Sequence, residues 1–104
     1  MTSAVSIRTI EGATIVGLTR AAARELGRDG IRVNAIAPGL TMNASLSAQG
    51  WTRGEIGKAI VASRSIRREE IPEDLIGTLV YLASPDSDFV TGQTIVVDGG
   101  GAMH

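Results

Sequence analysis

Cysteine is absent from the 104 residues, and the aromatic side chains number three, one Trp, one Tyr and one Phe. Without cysteine there is no disulfide, no thiolate nucleophile and no zinc-thiolate site, a usage that fits a reducing compartment and makes the cytoplasm the expected location. With so few large rings, the interior has to be filled by small and aliphatic side chains. Charge of either sign is also missing in excess: ten basic residues face eleven acidic ones, for a net charge of -1. Binding to a phosphate backbone calls for a basic surplus, so nucleic acid is not an expected partner. No apolar run approaches the roughly eighteen residues of a membrane span, and "MTSAVSIRTIEG" has neither the basic start nor the apolar stretch of a secretion signal, so no membrane partner is expected. The one histidine, His104, is the last residue and has no Asp or second His arranged with it. It reads as a chain end, and no metal site is expected.

What is present is α/β in pattern, within a single partial domain over 1–104. In "TIEGATIVGLTRAAARELG", Thr9 can cap a helix over about 9–27, Glu11 sits where the helix dipole favours an anion, and Gly27 is placed to end it in a left-handed conformation. Ile15, Leu18, Ala22 and Leu26 form one stripe at helical spacing, and Ala13, Val16, Gly17 and Ala21 form a second. A helix apolar on two sides is expected to be covered on two sides. Beyond it, Ile31, Val33, Ala35 and Ala37 alternate with Arg32, Asn34 and Ile36, which gives a strand over 31–37 that Pro38-Gly39 stops. The polar stretch 40–65 reads as a loop with a helix inside it, over 53–63, begun by the capping box Thr52-x-x-Glu55. Trp51 in this loop either stacks on a substrate ring or covers the loop's own apolar side. Arg64, Arg67, Arg68, Glu69 and Glu70 read as a solvated junction. Pro72 opens a third helix over 72–84, and the apolar run Ile95–Val97 suits a second strand, over 93–98, buried on both faces. The two strands are expected to pair in parallel. Two strands make a poor sheet, so something beside them is missing.

"GLTRAAARELGRDGIRVNAIAPGLT" followed by "IPEDLIGTLVYLASPDSDFVTGQTIVVDGG" resembles the C-terminal part of the short-chain dehydrogenase/reductases, the NAD(P)-dependent Rossmann-type oxidoreductases. The resemblance covers about 12–100 and leaves 1–11 as unrelated or divergent lead-in. It implies a C-terminal fragment of a doubly wound parallel sheet, with NAD or NADP as the cofactor of the intact family. It also implies that the backbone of Leu40 and Thr41, just beyond Pro38-Gly39, meets the nicotinamide carboxamide at the C-terminal edge of the sheet, where open α/β sheets bind ligands. Where the family often has a Thr hydroxyl, this chain has Asn43, also a donor and an acceptor but longer. The cofactor-contacting candidates are therefore Pro38, Gly39, Leu40, Thr41 and Asn43, and 40–65 is the substrate-loop region. Thr41 and Asn43 can equally be the polar end of a Pro-Gly turn.

No catalytic residue is expected. The resemblance implies a Tyr that exchanges a proton with the substrate oxygen and a Lys four residues later whose charge lowers the Tyr pKa and binds the ribose. Counted back from "GLTR", those positions hold Arg8 and Gly12, or in the adjacent register Ile7 and Glu11. Tyr81 is the only tyrosine and Lys58 the only lysine, so no Tyr-x-x-x-Lys exists in this chain. The Gly-rich turn that receives the pyrophosphate is absent too, since Gly99-Gly100-Gly101 has no helix after it. The expectation is a truncated or frame-shifted oxidoreductase, inactive alone and a poor cofactor binder. The alternative is a module that associates with copies of itself through the Thr9–Gly27 helix and the C-terminal strand, or that complements a separate N-terminal fragment.

Overall fold

The computed structural model describes residues 2–7, 13–42 and 54–102, the first of these stretches as backbone only. In chain order the elements are β1 (Thr2–Ile7), α1 (Ala13–Leu26), β2 (Ile31–Pro38), α2 (Glu55–Ser63), α3 (Glu73–Ala83) and β3 (Thr94–Val97). Both expected strands are present as parallel neighbours, with Ala35 opposite Thr94 and Pro38 opposite Val97. The sheet has a third strand that the residue pattern does not announce. β1 pairs in parallel with β2, from Thr2 opposite Ile31 to Ile7 opposite Ile36, so β2 is central in the order β1-β2-β3. Residues within the expected lead-in thus supply the neighbour that two strands lacked.

The strand β2 carries the core. Ala35, Ile36 and Ala37 are buried on it, joined by Ala23 of α1 and Leu82 of α3, which is the small, aliphatic interior that the scarcity of rings requires. Arg32 and Asn34 reach from β2 to the segment after α3, so alternation turns Val33, Ala35 and Ala37 to the opposite face. Asn34 is fully buried; it donates from Nδ2 to the Val90 carbonyl at 2.9 Å and accepts the Gln93 N–H at 3.1 Å.

Three expectations are corrected. Among the described residues α1 is covered on one side only: Thr19 and Ala23 are buried, whereas Gly17 and Ala21 of the second stripe are exposed and Leu18 of the first is 66% exposed. Gly27 does not take the left-handed conformation; it starts a short 3-10 turn, Gly27–Asp29, and Gly30 at φ 75° ends it, donating its N–H to the Gly27 carbonyl at 3.1 Å. β3 is half-buried at all four positions rather than covered on both faces, because it is an edge strand here. Thr9, Glu11 and the capping Thr52 lie outside the described residues, and Gly54 stands at the N-terminus of α2.

Candidate functional site

The Pro-Gly turn leaves β2 at the C-terminal edge of the sheet, and the segment 64–70 closes on it. Pro38 is the last residue of β2. The Gly39 N–H donates to the Val97 carbonyl at 3.0 Å and to Glu70 Oε1 at 3.2 Å. A Cβ on Gly39 would lie 2.8 Å from Glu70 Oε1, 3.0 Å from Arg64 Nη2 and 3.0 Å from Asp98 Cβ. Glycine is needed here by close packing. Thr41 Oγ1 donates back to the Gly39 carbonyl at 3.0 Å, and Thr41 forms a parallel bridge with Glu70, with the Met42 N–H on the Glu70 carbonyl at 2.6 Å. Asn43 and Trp51 lie outside the described residues.

Arg64 and Glu70 were expected in a solvated junction, and the structure corrects this: they are 4% and 5% exposed. Arg64 donates from Nη2 to the Leu40 carbonyl at 3.0 Å and from Nη1 to the Arg68 carbonyl at 2.9 Å, and Nη2 stands 3.8 Å from Glu70 Oε1. Glu70 Oε2 is buried and has no hydrogen-bond partner among the described residues. Burial pushes the Glu70 carboxyl above its ordinary range, against the opposing pull of the Arg64 cation and the Gly39 N–H. Arg67 and Arg68 remain exposed as expected. Arg68 forms a two-pronged bridge to Asp74 with both bonds at 2.7 Å, and this holds the Asp74 carboxyl down to about 2.

On the other side of the turn, the segment 98–102 is stitched in place. Asp98 accepts the Gly100 N–H on Oδ1 at 3.0 Å and the Ala102 N–H on Oδ2 at 2.8 Å, while Ile66 N–H donates to the Gly99 carbonyl at 2.9 Å. Gly99 and Gly100 adopt φ 67° and 82°, which only glycine takes without strain. A cavity of about 180 Å³ lies between these pieces, lined by Arg64, Ile66, Glu70, Val97 and Asp98 among others.

The expected cofactor contact has a specific chemical requirement, namely backbone donors for a carboxamide oxygen. The N–H groups of Leu40 and Thr41 make no hydrogen bond among the described residues. That donor set fits the group. Tyr81 lies on α3 and Lys58 on α2, Ile7 ends β1, and Arg8, Glu11 and Gly12 lie outside the described residues. Among the described residues, no group of three His, Asp or Glu side chains is arranged to hold a metal ion.

A three-stranded parallel sheet with its Pro-Gly turn at the C-terminal edge is part of a Rossmann-type fold. The sequence comparisons name the family. A family model described as Enoyl-(Acyl carrier protein) reductase matches residues 6–102. Dehydrogenase/reductase SDR family member 4 of Caenorhabditis elegans is 42% identical over 90 residues, covering 84% of this chain and 34% of the relative. L-2,3-butanediol dehydrogenase of Corynebacterium glutamicum is 39% identical over 117 aligned positions, covering 94% of this chain and 45% of the relative. That aligned span is longer than the whole chain, so the relative carries residues within it that have no counterpart here. A Beutenbergia cavernae structure with NADP bound at low occupancy superposes with a TM-score of 0.85 at 34% identity, covering 95% of this chain and 45% of that one. The chain belongs to the short-chain dehydrogenase/reductase family of NAD(P)-dependent oxidoreductases. It spans between about a third and a half of the length of these relatives.

Proposed function

We propose that this chain supplies one wall of a nicotinamide-cofactor cleft and that, alone, it neither oxidises nor reduces a substrate. The observation that carries the reading is a turn retained without its catalytic partners. Pro38, Gly39, Leu40 and Thr41 keep the family's turn and offer two backbone donors, with Asn43 as a further contact, while the 104 residues contain no Tyr-x-x-x-Lys. Bound at such a turn, the nicotinamide supplies hydride transfer. The chain's own contribution is to orient the carboxamide, with 40–65 as the substrate-facing loop. Proton transfer to the substrate oxygen has no group assigned to it here. The cytoplasm is the proposed location, and no helix among the described residues is long and apolar enough to cross a membrane.

The test is turnover by the purified chain with NADH or NADPH across a panel of alcohols and carbonyl compounds. No turnover is expected, and robust turnover overturns the reading. Mixing in a separately produced N-terminal half with a Gly-rich turn and a Tyr-x-x-x-Lys is expected to restore binding of NADH.

A second reading is favoured by the open side of α1, which presents Gly17, Leu18 and Ala21 to solvent, and by a groove of about 1120 Å³ between α1 and β3, lined by Val16, Arg20 and Val96 among others. We propose that copies associate through these two elements, because an apolar helix face and an unpaired strand edge both favour association. Sedimentation at micromolar concentration distinguishes the cases: a folded monomer removes this reading.

A further inference from the structure

We infer that Arg64 and Glu70 are positioning residues that hold the 38–42 turn in the shape that presents the Leu40 and Thr41 amides. The inference rests on the cleft reading above for its purpose, but the clamp stands on its own geometry. Each half of the turn is gripped by a different atom of the pair. Glu70 Oε1 takes the Gly39 N–H, the Glu70 carbonyl takes the Met42 N–H, and Arg64 takes the Leu40 carbonyl that lies between them. Arg64 also holds the carbonyl of Arg68, two residues before Glu70, so one guanidinium fixes the turn and the segment packed on it together.

The burial of the pair gives a second reason to assign it a task. A carboxylate and a guanidinium, each about nineteen parts in twenty shielded from water, are costly to desolvate, and apolar residues of similar volume serve stability as well. Their fork of donors and acceptors does what apolar residues cannot, which is to fix the direction of backbone groups. The pair takes Leu40 C=O and Met42 N–H, shares the Gly39 N–H with the Val97 carbonyl, and bonds neither the Leu40 nor the Thr41 N–H. Ion pairing alone does not require this arrangement. The 3.8 Å separation of the charges is longer than the hydrogen bonds each makes to the turn.

Amide hydrogen exchange in the full 104-residue chain tests the clamp. Arg64→Met is expected to raise exchange at Gly39 and Met42 by about tenfold, while Ala35, bonded to Gln93 at 2.8 Å within the same strand, changes by less than about twofold. Arg64→Lys, which keeps the charge but loses the fork, is expected to fall between the two. Equal changes at all three amides, or none, overturn the proposal. If the Arg64 variants do not fold, the unaltered chain still decides the matter. The Glu70 carboxyl, which faces Arg64, Asp74 and Asp98, is titrated by NMR, and the Gly39 amide shift is expected to follow it. A Gly39 shift that ignores Glu70 overturns the clamp. Titrating NADH against the Leu40 and Thr41 amides is a separate arm. A silent titration beside a positive exchange result removes the cleft reading and leaves the clamp.

Discussion

The two ends of β2 are each held by a buried arginine, and they are held differently. At the N-terminal end Arg32, 4% exposed, donates to the carbonyls of Leu82, Ser84 and Ser87 and to the Ser87 hydroxyl, and its acidic neighbour Asp88 sits largely in water at 3.8 Å. At the C-terminal end Arg64 donates to two carbonyls and faces a carboxylate buried as deeply as itself. The Arg32 guanidinium, set among carbonyls, joins β2 to the segment that leads into β3. A buried carboxylate can change its charge, and that end of the strand carries the turn proposed to meet the cofactor. The contrast teaches that similar burial of similar groups serves stability at one end and backbone direction at the other.

Removing Arg32 is the strongest way to break that contrast. Arg32→Met removes a charged donor from three carbonyls and a hydroxyl; the carbonyls keep weaker bonds from Ser87 and from the Val90 N–H, and a hydrogen bond to a charged group is worth about 1.5–3 kcal/mol. A loss on the order of 3 kcal/mol in urea denaturation is expected, with the whole sheet melting as one unit. A loss below about 1 kcal/mol contradicts the view that this end carries the fold. Gly39→Ala comes next. Its Cβ meets two side-chain tips and the Cβ of Asp98, all within 3.0 Å, and such overpacking costs about 1–3 kcal/mol. Unlike the Arg32 variant, it is expected to leave exchange at Ala35 near its original rate while loosening Gly39 and Met42.

Glu70→Gln sharpens the difference through pH. The folded-state pKa of Glu70 lies above its ordinary value of 4.5 because burial disfavours the charged form. The protonated form is therefore favoured by folding, and the stability this contributes is fully present below pH 4.5 and is lost as pH rises through the raised value. Measured against the Gln variant, the unaltered chain is expected to gain stability as pH falls through this window. A stability difference independent of pH across it counts against a buried, titrating Glu70.

The parts of this architecture that are legible in the sequence are those set by local chemistry. The alternation from Ile31 to Ala37 marks β2, the acidic turn after Pro72 marks α3, and both lie where the pattern puts them, within a residue or two. What is not legible depends on what lies alongside. Ile95–Val97 reads as a strand covered on both faces because an apolar run says what could be buried and nothing of whether a neighbour is there. "TSAVSI" has no strong strand pattern and becomes β1 by pairing with β2. The turn residues Pro38–Thr41 are found from the family pattern, but the clamp is not. In "RSIRREE" nothing distinguishes Arg64 from Arg67, or Glu70 from Glu69, because the choice is made by the space beside Gly39. The only trace is Gly39 itself, whose missing side chain makes room for the carboxylate.

The smallest effect is expected at the second ion pair of the same segment, and it completes the comparison. Arg68 and Asp74 meet by two hydrogen bonds of 2.7 Å, far shorter than the 3.8 Å between Arg64 and Glu70. Distance alone ranks the Arg68 pair as the stronger, yet the Arg68 side chain is 57% exposed, and water and salt screen most of the attraction. The Asp74 carboxyl is held below its ordinary value of 3.8, at about 2, by Arg68 and the Ile71 N–H. Its contribution to stability is therefore present above pH 3.8 and lost as pH falls through about 2, the opposite sense to Glu70. Asp74→Asn is expected to lower the urea midpoint at neutral pH by less than any variant above, with the difference fading between pH 3.8 and about 2. A larger loss than that of Gly39→Ala, or a difference that persists at the lowest pH, would show that the exposed bridge and not the buried clamp secures this segment.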